Sequence, residues 1–324
     1  MRRMKLDCDR LHGAKLLMPA AIAILLTATF SIRATAQQLH QKTFSSAEEA
    51  SNALLAAAQT NNERALLDIL GPDGTEIVSS GDAAENAETR ASFVTRYQQM
   101  HRLVKDPDGS TVLYIGAENW PTPIPLVNSG SFWYFDTEAG KKEILFRRVG
   151  RNELSAISVC QELVAAQKEY YSAQHNEYAR EISSEEGQHN GLYWKAGDGE
   201  PQSPIGPLLA LAFANGKGNS PTPYRGYYFL SLTRQGKEAP GGAKRYLVNG
   251  KMTEGFAFVA YPAEYRSSGV TTFIVNQDGV VFQRDLGPNT EGLAKTMKEY
   301  NPNSSWEKAE DQQEAETADN QKTK

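Results

Sequence analysis

The chain has 324 residues, with 34 Lys and Arg against 39 Asp and Glu, a net charge of −5 and a mean hydropathy of −0.52. With 40% hydrophobic and 23% charged residues it is neither a polytopic membrane protein, nor a collagen-like repeat, nor a wholly disordered chain. The near-neutral balance and the lack of a Lys/Arg block argue against a dedicated nucleic-acid binder, and the length suits two domains.

Residues 1–36 read as a signal peptide. Arg2, Arg3, Lys5, Arg10 and Lys15 form a basic start, Leu16–Phe30 an apolar run, and Ala34-Thr35-Ala36 a small-residue cleavage site, with Gln37 first in the mature chain. The run is short for a bilayer span, so the expectation is export to the periplasm or beyond, with no transmembrane segment after cleavage. Cleavage leaves 28 basic against 37 acidic residues and one cysteine, Cys160. An intrachain disulfide and a four-Cys zinc site are then both impossible.

Over 44–150 the pattern predicts a small α+β domain. Ser46-Ala47-Glu48-Glu49 is a capping box ahead of a helix, and a second helix covers Asn62–Leu70. A third runs from about Ala83 to Leu103 with Phe93, Val94, Tyr97 and His101 on a core-facing stripe. Strands follow at Thr111–Gly116 and Ser131–Asp136; the three prolines of Pro121–Val127 make that stretch an edge or a loop. The helix-then-strand order resembles the cone-shaped nuclear-transport-factor-two-like fold, an analogy that carries no function.

The second domain, 151–302, is expected to open at Asn152 with a long amphipathic helix to about Arg180, bearing Leu154, Ile157, Cys160, Val164 and Tyr171 on one stripe. An antiparallel meander should follow: Tyr224–Thr233, the apolar run Gly255–Tyr261, and a hairpin of Thr271–Val275 with Val280–Arg284 around Asn276-Gln277-Asp278-Gly279. Ala239-Pro240-Gly241-Gly242 fits a type II turn. Residues 303–324 are polar enough to be a disordered tail. The fold class expected is therefore α+β.

Segments in order along the mature chain carry a family likeness. Trp120-Pro121, Trp133-Tyr134-Phe135-Asp136, Arg147–Leu154, Gly191-Leu192-Tyr193-Trp194, Ser203–Pro207 and Gly226-Tyr227-Tyr228-Phe229 resemble the bacterial domain-of-unknown-function family numbered 2950. The likeness runs from about Phe44 to Trp306 and implies an exported protein with no assigned activity, so it transfers no catalytic residue. The second half alone resembles type IV pilin-like heads, although its helix is amphipathic and internal where a pilin's is apolar and N-terminal.

No motif points to a reaction. There is no G-x-S-x-G elbow, P-loop, G-x-G-x-x-G or H-E-x-x-H, so no cofactor and no metal are expected. Cys160, on an apolar helical stripe, reads as a small buried hydrophobe. Among His40, His101, His175 and His189, only His189 sits in a Gly-rich loop, where functional residues concentrate. Arg147, Arg148 and Arg151 read as an ion-pair cluster with Glu143 and Glu153, or as an anion site at the N-terminus of the long helix. Tyr193, Trp194, Tyr227 and Tyr228 lie beside glycines and suggest an aromatic groove for an envelope polymer or another envelope protein, with one of Tyr227 and Tyr228 facing the core. The sequence thus reads as a non-catalytic envelope binding or assembly module. A polysaccharide or peptidoglycan hydrolase using dispersed Asp and Glu is the alternative.

Overall fold

The computed structural model describes residues 41–79, 81–173, 176–213 and 220–309. The signal segment with its cleavage site, His40, His175 and residues 310–324 lie outside them. The described chain is α+β and divides into two compact units between Glu143 and Ile144.

In the N-terminal unit, helix α1 (Ala47–Gln59) is capped by Ser46, whose hydroxyl accepts from Glu49 N at 3.0 Å. Glu49 reaches back one residue further than a capping box requires, accepting from Ser45 N at 2.8 Å. Helix α2 (Glu63–Leu70) starts at Asn62, whose Oδ1 accepts from Ala65 N, and a short α3 spans Thr75–Val78. Helix α4 (Ala83–Gln99) is capped by Asp82, which accepts from Ala84 N and Glu85 N. It stops at Gln99, short of the expected Leu103, because His101–Lys105 pairs as strand β1 with β2 (Thr111–Ile115). His101 is accordingly an exposed strand residue stacked on Tyr97 at 4.0 Å, and its place on a core-facing helical stripe is corrected. Strands β3 (Trp120–Pro121), β4 (Leu126–Ser129) and β5 (Phe132–Phe135) complete an antiparallel sheet of order β1-β2-β4-β5 with β3 on β2. Along β2 burial alternates, with Thr111, Leu113 and Ile115 inside, so one face of this sheet packs against the helices.

The long helix α5 runs from Thr137 to Ala173, 37 residues and about 55 Å, and not from Asn152 to Arg180. Asp136 caps it, its Oδ1 accepting from Ala139 N at 2.9 Å. Gly140 lies near the start of the helix, where a Cβ would stand 2.6 Å from Ile124 Cγ1.

Beyond α5 come the parallel pair β6 (Glu181–Ser183) and β7 (Gly191–Tyr193), then the one-turn helix α6 (Pro207–Leu211). Strand β8 (Tyr227–Leu232) is followed by two small ribbons, β9 (Arg234–Gln235) with β10 (Lys244–Arg245) and β11 (Leu247–Val248) with β12 (Lys251–Met252). The main sheet is then built from β13 (Ala257–Pro262), β14 (Thr271–Asn276), β15 (Phe282–Asp285) and β16 (Glu307–Lys308), in the antiparallel order β16-β15-β14-β13-β8, with helix α7 (Thr290–Thr296) ahead of β16. Gly279, at φ 81°, closes the β14–β15 hairpin as its position required.

Every residue of β13 is buried, so both faces of the sheet are covered. The Tyr227 hydroxyl and the Glu153 carboxylate of α5 both hydrogen-bond the Thr271 main chain. Tyr261 pairs with Tyr228, the strand neighbour of Tyr227, so Tyr227 and Tyr261 lie on opposite faces of the sheet, and both are buried. Residues 303–309 correct the expectation of a disordered tail from 303 onward. Main-chain pairing needs no apolar side chains, and β16 with the Ala309 N bond to Val281 O at 2.9 Å supplies it. No helix among the described residues is long and apolar enough to cross a membrane.

Candidate binding pocket

An apolar pocket open on one side lies in the N-terminal unit, with a volume of about 270 Å³. It arises where four helices, α3 with Ile77 and Val78 among them, and one sheet face fail to close completely. Helix α1 contributes Leu54 and Ala58, α2 Leu66 and Leu70, and the sheet side Ile115, Ile124 and Phe135. Helix α4 presents Asn86, Thr89, Arg90 and Phe93, the i, i+3, i+4, i+7 positions of a single face. Trp120, 49% exposed, also lines the cavity.

One charged residue stands in this lining, and no acidic one. Arg90 donates from Nη1 to Val78 O at 3.2 Å, while its Nε is buried without an acceptor. Thr122 Oγ1 is likewise buried and unpartnered. Each such group leaves a desolvation cost of roughly 1–3 kcal/mol unrelieved. The cavity is therefore an apolar chamber with a cation and a hydroxyl whose hydrogen-bonding capacity the protein does not use. Chemically it can bind; it contains no nucleophile–base pair.

The residues singled out from sequence lie in the C-terminal unit. Tyr227 is fully buried and its hydroxyl donates to Thr271 O at 2.9 Å, so it is a core residue and not ligand surface. Tyr228 is half-buried with its ring 5.8 Å from that of Tyr261. Trp194 stacks on His189 at 4.4 Å and donates from Nε1 to Pro201 O at 2.9 Å. Tyr193 packs partly buried against the main core. Sequence proximity brings His189 to Trp194 and sheet register brings Tyr228 to Tyr261. No ring contact joins the two pairs among the described residues.

Arg147, Arg148 and Arg151 lie well inside α5 and not at its start, so the backbone amides of a helix N-terminus are not available to them. This part of the helix clamps the loop before β14. Glu153 accepts from Val270 N at 2.9 Å and Thr271 N at 3.0 Å, Asn152 donates to Ser268 O, and Arg148 donates to Ser267 Oγ. Cys160 is fully buried, and burial pushes its thiol up to about 12, the opposite of an activated nucleophile. A groove of about 450 Å³ beside α6 carries Glu162 and Glu169, but both stand on one helix, about 10 Å apart along its axis, and do not face each other across a cleft. Among the described residues no cluster of His, Cys, Asp and Glu could hold a metal ion.

The sequence reading missed the pocket because its walls come from residues scattered between Leu54 and Phe135. The one local signal was the mixed α4 face, where Asn86, Thr89 and Arg90 share a stripe with Phe93. No curated protein and no solved structure matches the chain. The family model described as a protein of unknown function, DUF2950, matches residues 41–309, most of the chain, and the protein belongs to that family.

Proposed function

We propose that the protein is an exported, non-catalytic binding module of the cell envelope, and that the pocket of its N-terminal unit is where a small, mainly apolar ligand binds. The observation that carries the reading is the cavity itself: an apolar lining, unfilled by any side chain, with Arg90 as its single charge and a partly exposed Trp120 in its wall. Ligand sites are concave and mostly apolar with few placed polar groups, and this cavity has that composition. The basic start, apolar run and Ala34-Thr35-Ala36 site support export.

Titration with the apolar fluorophore N-phenyl-1-naphthylamine tests the pocket. Saturable, one-to-one enhancement is expected, and Ala58→Phe, which fills the chamber from α1, should abolish it while the circular dichroism stays native. Equal binding by Ala58→Phe, or no saturable binding by the parent, overturns the reading. Export is tested by the native protein's N-terminus, expected at Gln37; an intact Met1 overturns it.

A further inference from the structure

The lining of the pocket specifies the chemistry of its ligand beyond being apolar. Arg90 sits on α4 in a wall that holds no acidic side chain, in a chain whose net charge is −5, and it makes no ion pair among the described residues. A guanidinium in partly apolar surroundings normally has an anionic partner, since an unpaired charge is costly there. Its one hydrogen bond uses Nη1, on the side of the fork away from the Nε–H, so the edge formed by Nε and Nη2 is left for another group. That edge takes a carboxylate through two parallel N–H···O bonds. Thr122, also in the lining, adds a hydroxyl with no partner of its own. Water at this edge would relieve the hydrogen-bonding deficit but not the charge.

We infer that the pocket takes an amphiphilic carboxylate, its apolar body in the chamber of Leu54, Leu66 and Phe135 and its carboxylate on the Nε–Nη2 edge of Arg90. This rests on the pocket being a binding site, and the experiment separates the two. Octanoate and its uncharged counterpart 1-octanol are each used to displace N-phenyl-1-naphthylamine from the parent protein, from Arg90→Gln and from Arg90→Lys. Octanoate affinity should fall at least about tenfold in Arg90→Gln, while that of 1-octanol changes less than about twofold. Arg90→Lys, which keeps the charge and loses the fork, should fall between; if Arg90→Gln does not fold, this variant carries the comparison. Octanoate and 1-octanol affected alike, with the fluorophore still bound, overturns the carboxylate assignment and leaves the pocket standing. Failure of the fluorophore to bind the parent removes the pocket and the assignment together.

Discussion

The two units solve the same packing problem with different completeness. In the C-terminal unit a five-stranded sheet is covered on both faces, Phe258, Val259, Ala260 and Tyr261 follow one another fully buried, and the core is one continuous cluster. In the N-terminal unit the buried residues form two smaller clusters, and the cavity lies between walls of short helices and a sheet whose strands alternate in burial. The space left in the C-terminal unit, the groove of about 450 Å³ beside α6, is lined by helix and loop residues and by none of β13. In the N-terminal unit, helices propped on a single sheet face leave an apolar pocket against the sheet itself. Aromatic richness in sequence therefore marks the filled core, and the candidate site sits where aromatics are fewer.

Truncation in the filled core should give the largest effect: Phe258→Ala is expected to cost about 3–5 kcal/mol in urea denaturation. A cost under 1 kcal/mol would mean that this core is looser than the contrast requires. Alkaline pH comes next. Burial raises the Cys160 thiol from 9.0 to about 12 and the Tyr261 phenol from 10.0 to about 12, so the folded state holds these protons more tightly than the unfolded one. Their contribution is complete below pH 9 and is lost as pH rises towards 12, at up to about 1.4 kcal/mol per pH unit for each group. Denaturation at pH 7, 9, 10 and 11 should show this fall, and Cys160→Ala should flatten it. An unchanged slope would remove the thiol from the account.

Enlarging a small residue separates the units directly. Ala260→Leu, in β13, should overpack and cost about 1–3 kcal/mol. Ala58→Leu, in the pocket wall, should stay within about 0.5 kcal/mol because the added methyl groups enter open space. Equal costs would show that the cavity does not persist in solution. The smallest effect concerns two tyrosines of one sheet. Tyr227→Phe strands the Thr271 carbonyl and should cost about 1 kcal/mol, whereas Tyr261→Phe, which removes a buried hydroxyl with no partner, should be neutral or slightly stabilising. Thermal midpoints of the two variants check the order, and a reversal would reassign their hydrogen bonds.

Much of the fold was legible where local chemistry is self-sufficient. Ser46 and Asn62 mark helix starts because a side-chain oxygen satisfies an amide nearby in sequence. Asn276–Gly279 marks a hairpin because the turn demands a positive φ that glycine supplies. The run from Gly255 to Tyr261 identified a strand covered on both faces, since only such a strand can be apolar at successive positions. Errors fell where a distant partner decides. His101–Leu103 reads as the end of a helix until β2 pairs with it.

By itself, then, the sequence determined the α+β class, the capped helices, the antiparallel meander and the burial of Cys160, all of which follow from periodicity, capping and turn chemistry within a few residues. Tertiary structure alone decided which tyrosine of the Tyr227-Tyr228 pair is core, that the arginines lie mid-helix, and that α1, α2, α3, α4 and the sheet line a pocket beside Arg90. A void is made by what fails to meet across the fold, and no local pattern records that. An unpartnered guanidinium edge, likewise, exists only once every neighbour that could have filled it has taken its place.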